Sequence, residues 1–99
     1  MSDTVNPTIE EIKEKILPIL QRHGATRAGL FGSVARGEQR GDSDVDVLVE
    51  LDRRLSLIAV VGVNREMEEV LGRKVDLVEY DAIKPRIRER ILAEEIRIL

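Results

Sequence analysis

Gly32 and Ser33 are followed, after ten intervening residues, by two aspartates separated by a single valine, Asp44-Val45-Asp46. Alternate residues of a strand point to the same side, so these two carboxylates stand roughly 6–7 Å apart. At that spacing two unit charges repel by about 2–3 kcal/mol if the effective dielectric is near 20. A divalent cation turns that repulsion into a binding site. Mg²⁺ prefers oxygen ligands and shares its shell between carboxylates and substrate phosphates. The Gly-Ser pair complements it, because glycine permits close backbone approach and serine offers a hydroxyl and an N–H where anions bind well. Together these residues describe a site for Mg²⁺ and a nucleoside triphosphate.

A third carboxylate, Asp76, lies in the middle of Lys74-Val75-Asp76-Leu77-Val78-Glu79-Tyr80. An aspartate there works against strand propensity. If its strand neighbours the one that carries Asp44 and Asp46, all three converge. Taken singly, each feature has a plainer role. The Asp-x-Asp pair could solvate an edge strand, Gly32-Ser33 could be a turn with a serine helix cap, and Asp76 could be an exposed alternate position. Arg36, three residues after Ser33, could turn back toward a triphosphate or stand in solvent.

The elements that must position these side chains follow from the patterning. Thr8 and Glu11 form a capping-box pattern, and Ile9, Ile12, Ile16, Ile19 and Leu20 recur at helical spacing to about Arg22. Gly24 is a plausible stop, and Pro18 is expected to kink this helix or loosen its last turns. The single histidine, His23, sits where an imidazolium favours a helix C-terminus, a structural role rather than a catalytic one. A strand is expected over 25–31, a short helix from Ser33 to about Arg36, and a loop over 37–43. The clearest strand runs over 45–51. Val45, Val47, Val49 and Leu51 share one of its faces, and Asp44, Asp46, Leu48 and Glu50 share the other. A second long helix over 56–71, capped by Ser56, ends at Gly72 before a strand over 74–80. Pro85 opens a last helix, for which Ile87, Ile91, Leu92 and Ile98 could supply the buried side.

The expected fold is therefore α/β (α+β), in the order α-β-α-β-α-β-α, with a three-stranded, mixed sheet flanked by helices. The helix between the second and third strands makes a crossover long enough for parallel pairing. The direction of the first strand is left open.

Ninety-nine residues suit one domain over 1–99, with 1–7 read as a short arm. With 42% hydrophobic and 35% charged residues the chain is too apolar for disorder. The longest apolar run, 57–63, is too short to span a membrane, no signal-peptide pattern opens the chain, and no cysteine is present. A cytoplasmic location is expected. A net charge of −3 and only two aromatics, Phe31 and Tyr80, argue against stable nucleic-acid binding. The basic run Lys84, Arg86, Arg88 and Arg90 reads as a solvated helix face, with Arg90 and Glu94 as an i,i+4 pair; a docking surface for an acidic partner is the sharper alternative.

The whole combination is more specific than its parts. GLFGSVARGEQRGDSDVDVLVEL at residues 29–51, with the later VDLV, resembles the nucleotidyltransferase core of the DNA polymerase β superfamily, and most of all the minimal nucleotidyltransferases. The order of elements matches over nearly the whole chain.

That resemblance implies specific roles. Gly32 and Ser33 would hold the β- and γ-phosphates, with Arg36 beside them. Asp44 and Asp46 would bind two Mg²⁺ ions, and Asp76 would complete the shell of the catalytic one. An acceptor hydroxyl would attack the α-phosphate in line, without a side-chain nucleophile. Minimal members commonly pair with a HEPN-domain toxin, so the resemblance implies an antitoxin that transfers AMP from ATP to a toxin hydroxyl, typically a tyrosine. Larger members carry a further domain over the acceptor; this chain would leave that side for the partner to supply. Two alternatives stay open: an antitoxin that neutralises by binding alone, and a small-molecule nucleotidyltransferase of the aminoglycoside-modifying kind. The nucleotide preference and the oligomeric state, homo- or hetero-oligomeric, are not given by these residues.

Overall fold

A computed structural model describes residues 8–38 and 44–99. The expected arm over 1–7 and most of the expected loop over 37–43 lie outside the described residues. The elements run α1 (Ile9–Arg22), β1 (Arg27–Phe31), α2 (Gly32–Arg36), β2 (Val45–Glu50), α3 (Leu57–Leu71), β3 (Val75–Glu79), a 3₁₀ turn (Tyr80–Ala82), α4 (Pro85–Glu94) and β4 (Ile96–Arg97).

Local chemistry sets the helix ends. The Thr8 hydroxyl accepts the Glu11 N–H at 3.1 Å, and the Glu11 carboxylate accepts the Thr8 N–H at 2.8 Å, the reciprocal pair expected of a capping box. The Ser56 hydroxyl accepts the Ala59 N–H at 3.1 Å and so caps α3. Gly24, with φ +79°, takes the left-handed conformation that lets the chain leave α1. Helix α1 runs through Pro18 to Arg22. Ile16, Ile19 and Leu20 on either side of the proline are buried, so core packing holds the last turn despite the missing N–H.

The sheet has four strands in the order β3-β2-β1-β4. Strands β1 and β2 are antiparallel, β2 and β3 parallel, and β1 and β4 antiparallel, so the sheet is mixed as expected. The fourth strand is a correction to the three-stranded reading. Helix α4 stops at Glu94, and Ile96 and Arg97 pair with Leu30 and Gly29. No glycine or proline marks the stop, and two residues are too few to show strand alternation. Ile98 is accordingly not on the last helix; it follows β4, with its N–H donating to the Ala28 carbonyl at 3.0 Å.

Helices α1 and α3 cover the face that carries Val45, Val47 and Val49, where Ile12, Ile16, Val63 and Met67 complete the main core. The opposite face holds a smaller cluster of Leu48, Tyr80 and Ile83, with Phe31, Val78, Ile91 and Leu92 packed against it. Leu48 shares a face with the aspartates as expected, yet it is fully buried by this cover. At the start of α3, Leu57 and Ile58 are 79% and 84% exposed. Among the described residues, no helix is long and apolar enough to cross a membrane.

Candidate active site

The acidic side chains gather where β1 ends and β2 and β3 begin. Asp46 is the second residue of β2 and pairs in register with Asp76, the second residue of β3. Neighbouring parallel strands lie about 4.8 Å apart, and paired residues project to the same face, so these two carboxylates are direct neighbours. Asp44, just before β2, lies two residues from Asp46 and is exposed. All three are therefore brought together, as expected. The parallel pairing that aligns them depends on α3 as the crossover.

Gly32 closes the other side. It has φ +74° and follows Phe31, the β1 residue paired with Asp46. A β-carbon there would stand 2.0 Å from Oδ2 of Asp46, so a side chain at this position would have to push the carboxylate aside. Only glycine lets the chain turn into α2 over that carboxylate. Ser33 is the second residue of α2, whose N-cap is Phe31, so it is not the helix cap of the plainer reading. Its hydroxyl makes no hydrogen bond among the described residues.

Arg36 turns back toward the site. Its Nε donates to Glu38 at 3.0 Å, and its Nη1 donates to both carboxylate oxygens of Glu94 at 3.2 Å. Glu94 also accepts the Gly32 N–H at 3.3 Å. The sequence reading pairs this glutamate with Arg90 and gives it no place in the site. The fold carries it across to α2 instead, and no spacing within α4 could have revealed that contact.

Burial raises the Asp46 carboxyl to about 6, with further increments from Asp76 and Asp44; Arg36 opposes them and Glu94 adds to them. A carboxyl half withdrawn from water among like charges favours its protonated form. Bringing in a cation removes that frustration, and hard oxygen donors suit Mg²⁺. Among the described residues, no group of three or more aspartate, glutamate, histidine or cysteine side chains is already placed to hold a metal ion. Carboxylates on one side, with the remaining positions left to water and phosphate oxygens, are the arrangement that Mg²⁺ accepts.

A cleft of about 350 Å³ opens beside Asp76, walled by Phe31, Val78, Ile83, Ile87 and Ile91, with Lys84 also lining it. Arg88 donates to the Tyr80 carbonyl at 2.8 Å, so part of the basic run serves the fold. His23 is elsewhere. It bonds Glu66 of α3 at 2.8 Å on the other side of the sheet, in keeping with its structural reading.

Residues 12–98 match the profile of the nucleotidyltransferase domain. A chain of Methanocaldococcus jannaschii assigned to the protein adenylyltransferases is 50% identical over 91 residues, covering 92% of this chain and 98% of its own. Protein adenylyltransferase MntA of Thermococcus cleftensis is 38% identical over 96 residues, with 92% and 96% coverage. A solved minimal nucleotidyltransferase superposes with a TM-score of 0.79 at 38% identity, spanning 94% of this chain and 98% of that one. The MNT antitoxin complex with a tri-AMPylated HEPN toxin from Shewanella oneidensis shares the fold, with a TM-score of 0.70 at 20% identity over 91% of this chain and 71% of that one. A carboxylate triad beside a glycine turn, on this order of elements, thus has a home: the chain belongs to the nucleotidyltransferase-domain family, as one of its minimal nucleotidyltransferases.

Proposed function

We propose that this chain is a Mg²⁺-dependent protein adenylyltransferase that moves AMP from ATP onto a tyrosine hydroxyl of a HEPN-domain toxin, and so acts as its antitoxin. The observation that carries this reading is the in-register pair Asp46 and Asp76 directly beside Gly32. Gly32 and Ser33 take the β- and γ-phosphates through backbone N–H groups and the Ser33 hydroxyl, and the Arg36 guanidinium neutralises phosphate charge. Asp44, Asp46 and Asp76 would hold the cation, which when bound would lower the pKa of the incoming hydroxyl and steady the triphosphate.

With the triphosphate fixed at Gly32, the acceptor approaches from the Asp76 side. The cleft there has apolar walls and a carboxylate along its lining, which suits a tyrosine with its apolar ring and polar tip. The hydroxyl oxygen forms a bond to the α-phosphorus, the bond to the β-phosphate oxygen breaks, the hydroxyl proton is lost to water and pyrophosphate departs. The chain supplies position and charge rather than a nucleophile. The names of the relatives support protein adenylylation, and the distant antitoxin complex with an AMPylated HEPN toxin supports the partner class.

The test is to incubate the purified chain with ATP, Mg²⁺ and the HEPN-type protein encoded beside it. Intact-mass spectrometry should register addition of AMP to the partner and its loss with Asp46→Asn. If Asp46→Asn still neutralises the toxin fully and no mass is gained with the unaltered chain, neutralisation is by binding alone.

A further inference from the structure

Glu94, the last residue of α4, does not project into solvent or along its own helix. Its side chain is 23% exposed and reaches the start of α2, where it accepts the Gly32 N–H and the Arg36 guanidinium. No ion pair joins it to Arg90 among the described residues. It also adds to the negative field on Asp46. A carboxylate beside three aspartates is unfavourable unless strong donors hold it there. The donors that hold it are a half-buried backbone N–H and a guanidinium, groups that also bind phosphate oxygens. One set of donors therefore faces two kinds of acceptor, one of which belongs to the chain itself.

We propose that Glu94 is a built-in competitor for the triphosphate. In the nucleotide-free chain its carboxylate occupies the Gly32 N–H and Arg36, and polyphosphate binds only when that carboxylate is displaced. Glu94 thus sets the affinity of the site, and it weakens ligands with β- and γ-phosphates selectively. Apparent affinity is lowered by the fraction of molecules in which the donors are free. This inference rests on the reading of Gly32, Ser33 and Arg36 as the phosphate site. A plain structural role would act in the opposite sense: if Glu94 only braces Arg36, removing it weakens binding.

Isothermal titration calorimetry on the full chain tests it with Mg²⁺-ATP, inorganic tripolyphosphate and AMP as probes. Glu94→Gln removes the charge, and Glu94→Asp keeps the charge but withdraws its reach. Either carries the test if the other fails to melt cooperatively. Both should bind ATP and tripolyphosphate about three- to tenfold more tightly, with no change for AMP. Glu89→Gln removes the same charge from an exposed position on the same helix and should change nothing. Equal or weaker polyphosphate binding by both Glu94 variants overturns the inference alone, as does equal tightening by Glu89→Gln. If neither the wild type nor the variants bind either polyphosphate, the phosphate-site reading falls with it. A wild type that binds weakly and variants that bind well support both.

Discussion

Gly32 and Asp46 occupy one space: the volume that a β-carbon at residue 32 would need is filled by the aspartate's Oδ2. A side chain at residue 32 therefore cannot enter without moving the carboxylate. Gly32→Ala tests this. A side chain at φ +74° costs about 1–2 kcal/mol in conformation alone, and the contact forces Asp46 aside. Thermal denaturation should detect that loss, and AMP transfer should fall by about 100-fold or more because a displacement near 1 Å is enough. Transfer at the wild-type rate would remove Asp46 from the reacting centre.

The same carboxylate makes stability depend on pH. Its pKa rises from 3.8 to about 6 on folding, so the folded state binds the proton more tightly than the unfolded one. Stability from this group is full below about pH 4, declines as pH rises toward 6, and stays reduced above that. Asp46→Asn abolishes the decline. The variant should melt about 2–6 °C above the wild type at pH 7.5 and level with it at pH 4, the gain being kept small by partial solvent screening. It should have no transfer activity at either pH.

A divalent cation should mimic that substitution in the unaltered protein. Mg²⁺ without nucleotide is expected to raise the melting temperature at pH 7.5 and to do less at pH 4, where the Asp46 carboxyl is protonated. Chelation should abolish transfer while the far-ultraviolet circular dichroism stays unchanged. Loss of secondary structure on chelation would make the cation a structural element instead.

Local signals in the sequence were strong where one side chain or one period decides the outcome. The capping box at Thr8, the serine cap at Ser56, the period-two alternation of β2 and the crossover through α3 all translate directly into structure. So does the Asp44, Asp46 and Asp76 set, because parallel pairing leaves few registers and the hydrophobic pattern selects one. What stayed hidden depends on tertiary placement. The end of α4 carries no stop residue, so β4 was illegible. Glu94 reads as half of a helical ion pair until β4 draws the chain back along β1 and leaves that carboxylate facing Gly32. The kink or loosening expected at Pro18 is a local reading, and local propensity cannot weigh the burial of Ile16, Ile19 and Leu20 around it.

His23 offers the converse test, a titratable residue that should not matter for chemistry. It bonds Glu66 at 2.8 Å, and Arg22 bonds the same carboxylate at 2.9 Å, so the three tie the end of α1 to α3. These groups are partly exposed, and Arg22 remains when His23 is removed. His23→Ala should cost less than about 1 kcal/mol by chemical denaturation. The pH profile of AMP transfer should superimpose on that of the wild type; a missing limb in the variant would return His23 to the chemistry.

Glu95, next in the chain to Glu94, anchors the end of α4 from the opposite direction. Its side chain is only 5% exposed; it accepts the Tyr80 hydroxyl and pairs with Arg27 at 3.5 Å, while the Arg27 guanidinium lies 4.1 Å from the Tyr80 ring centroid. Burial and the Glu95 carboxylate hold the Tyr80 phenol well above its ordinary range, so it remains a donor. Glu95→Ala leaves that hydroxyl and Arg27 without their acceptor and should cost about 1–3 kcal/mol, with Glu95→Gln intermediate because the amide oxygen still accepts. Gly29 is the position where β1 admits this carboxylate, since a β-carbon there would stand 2.2 Å from Oε2. Gly29→Ala should therefore destabilise the wild type more than it destabilises Glu95→Ala, a coupling that a double-mutant cycle by chemical denaturation reads directly. Additive effects would mean that Glu95 does not reach under β1, and the chain end beyond α4 would lose the restraint that keeps Glu94 turned toward Gly32.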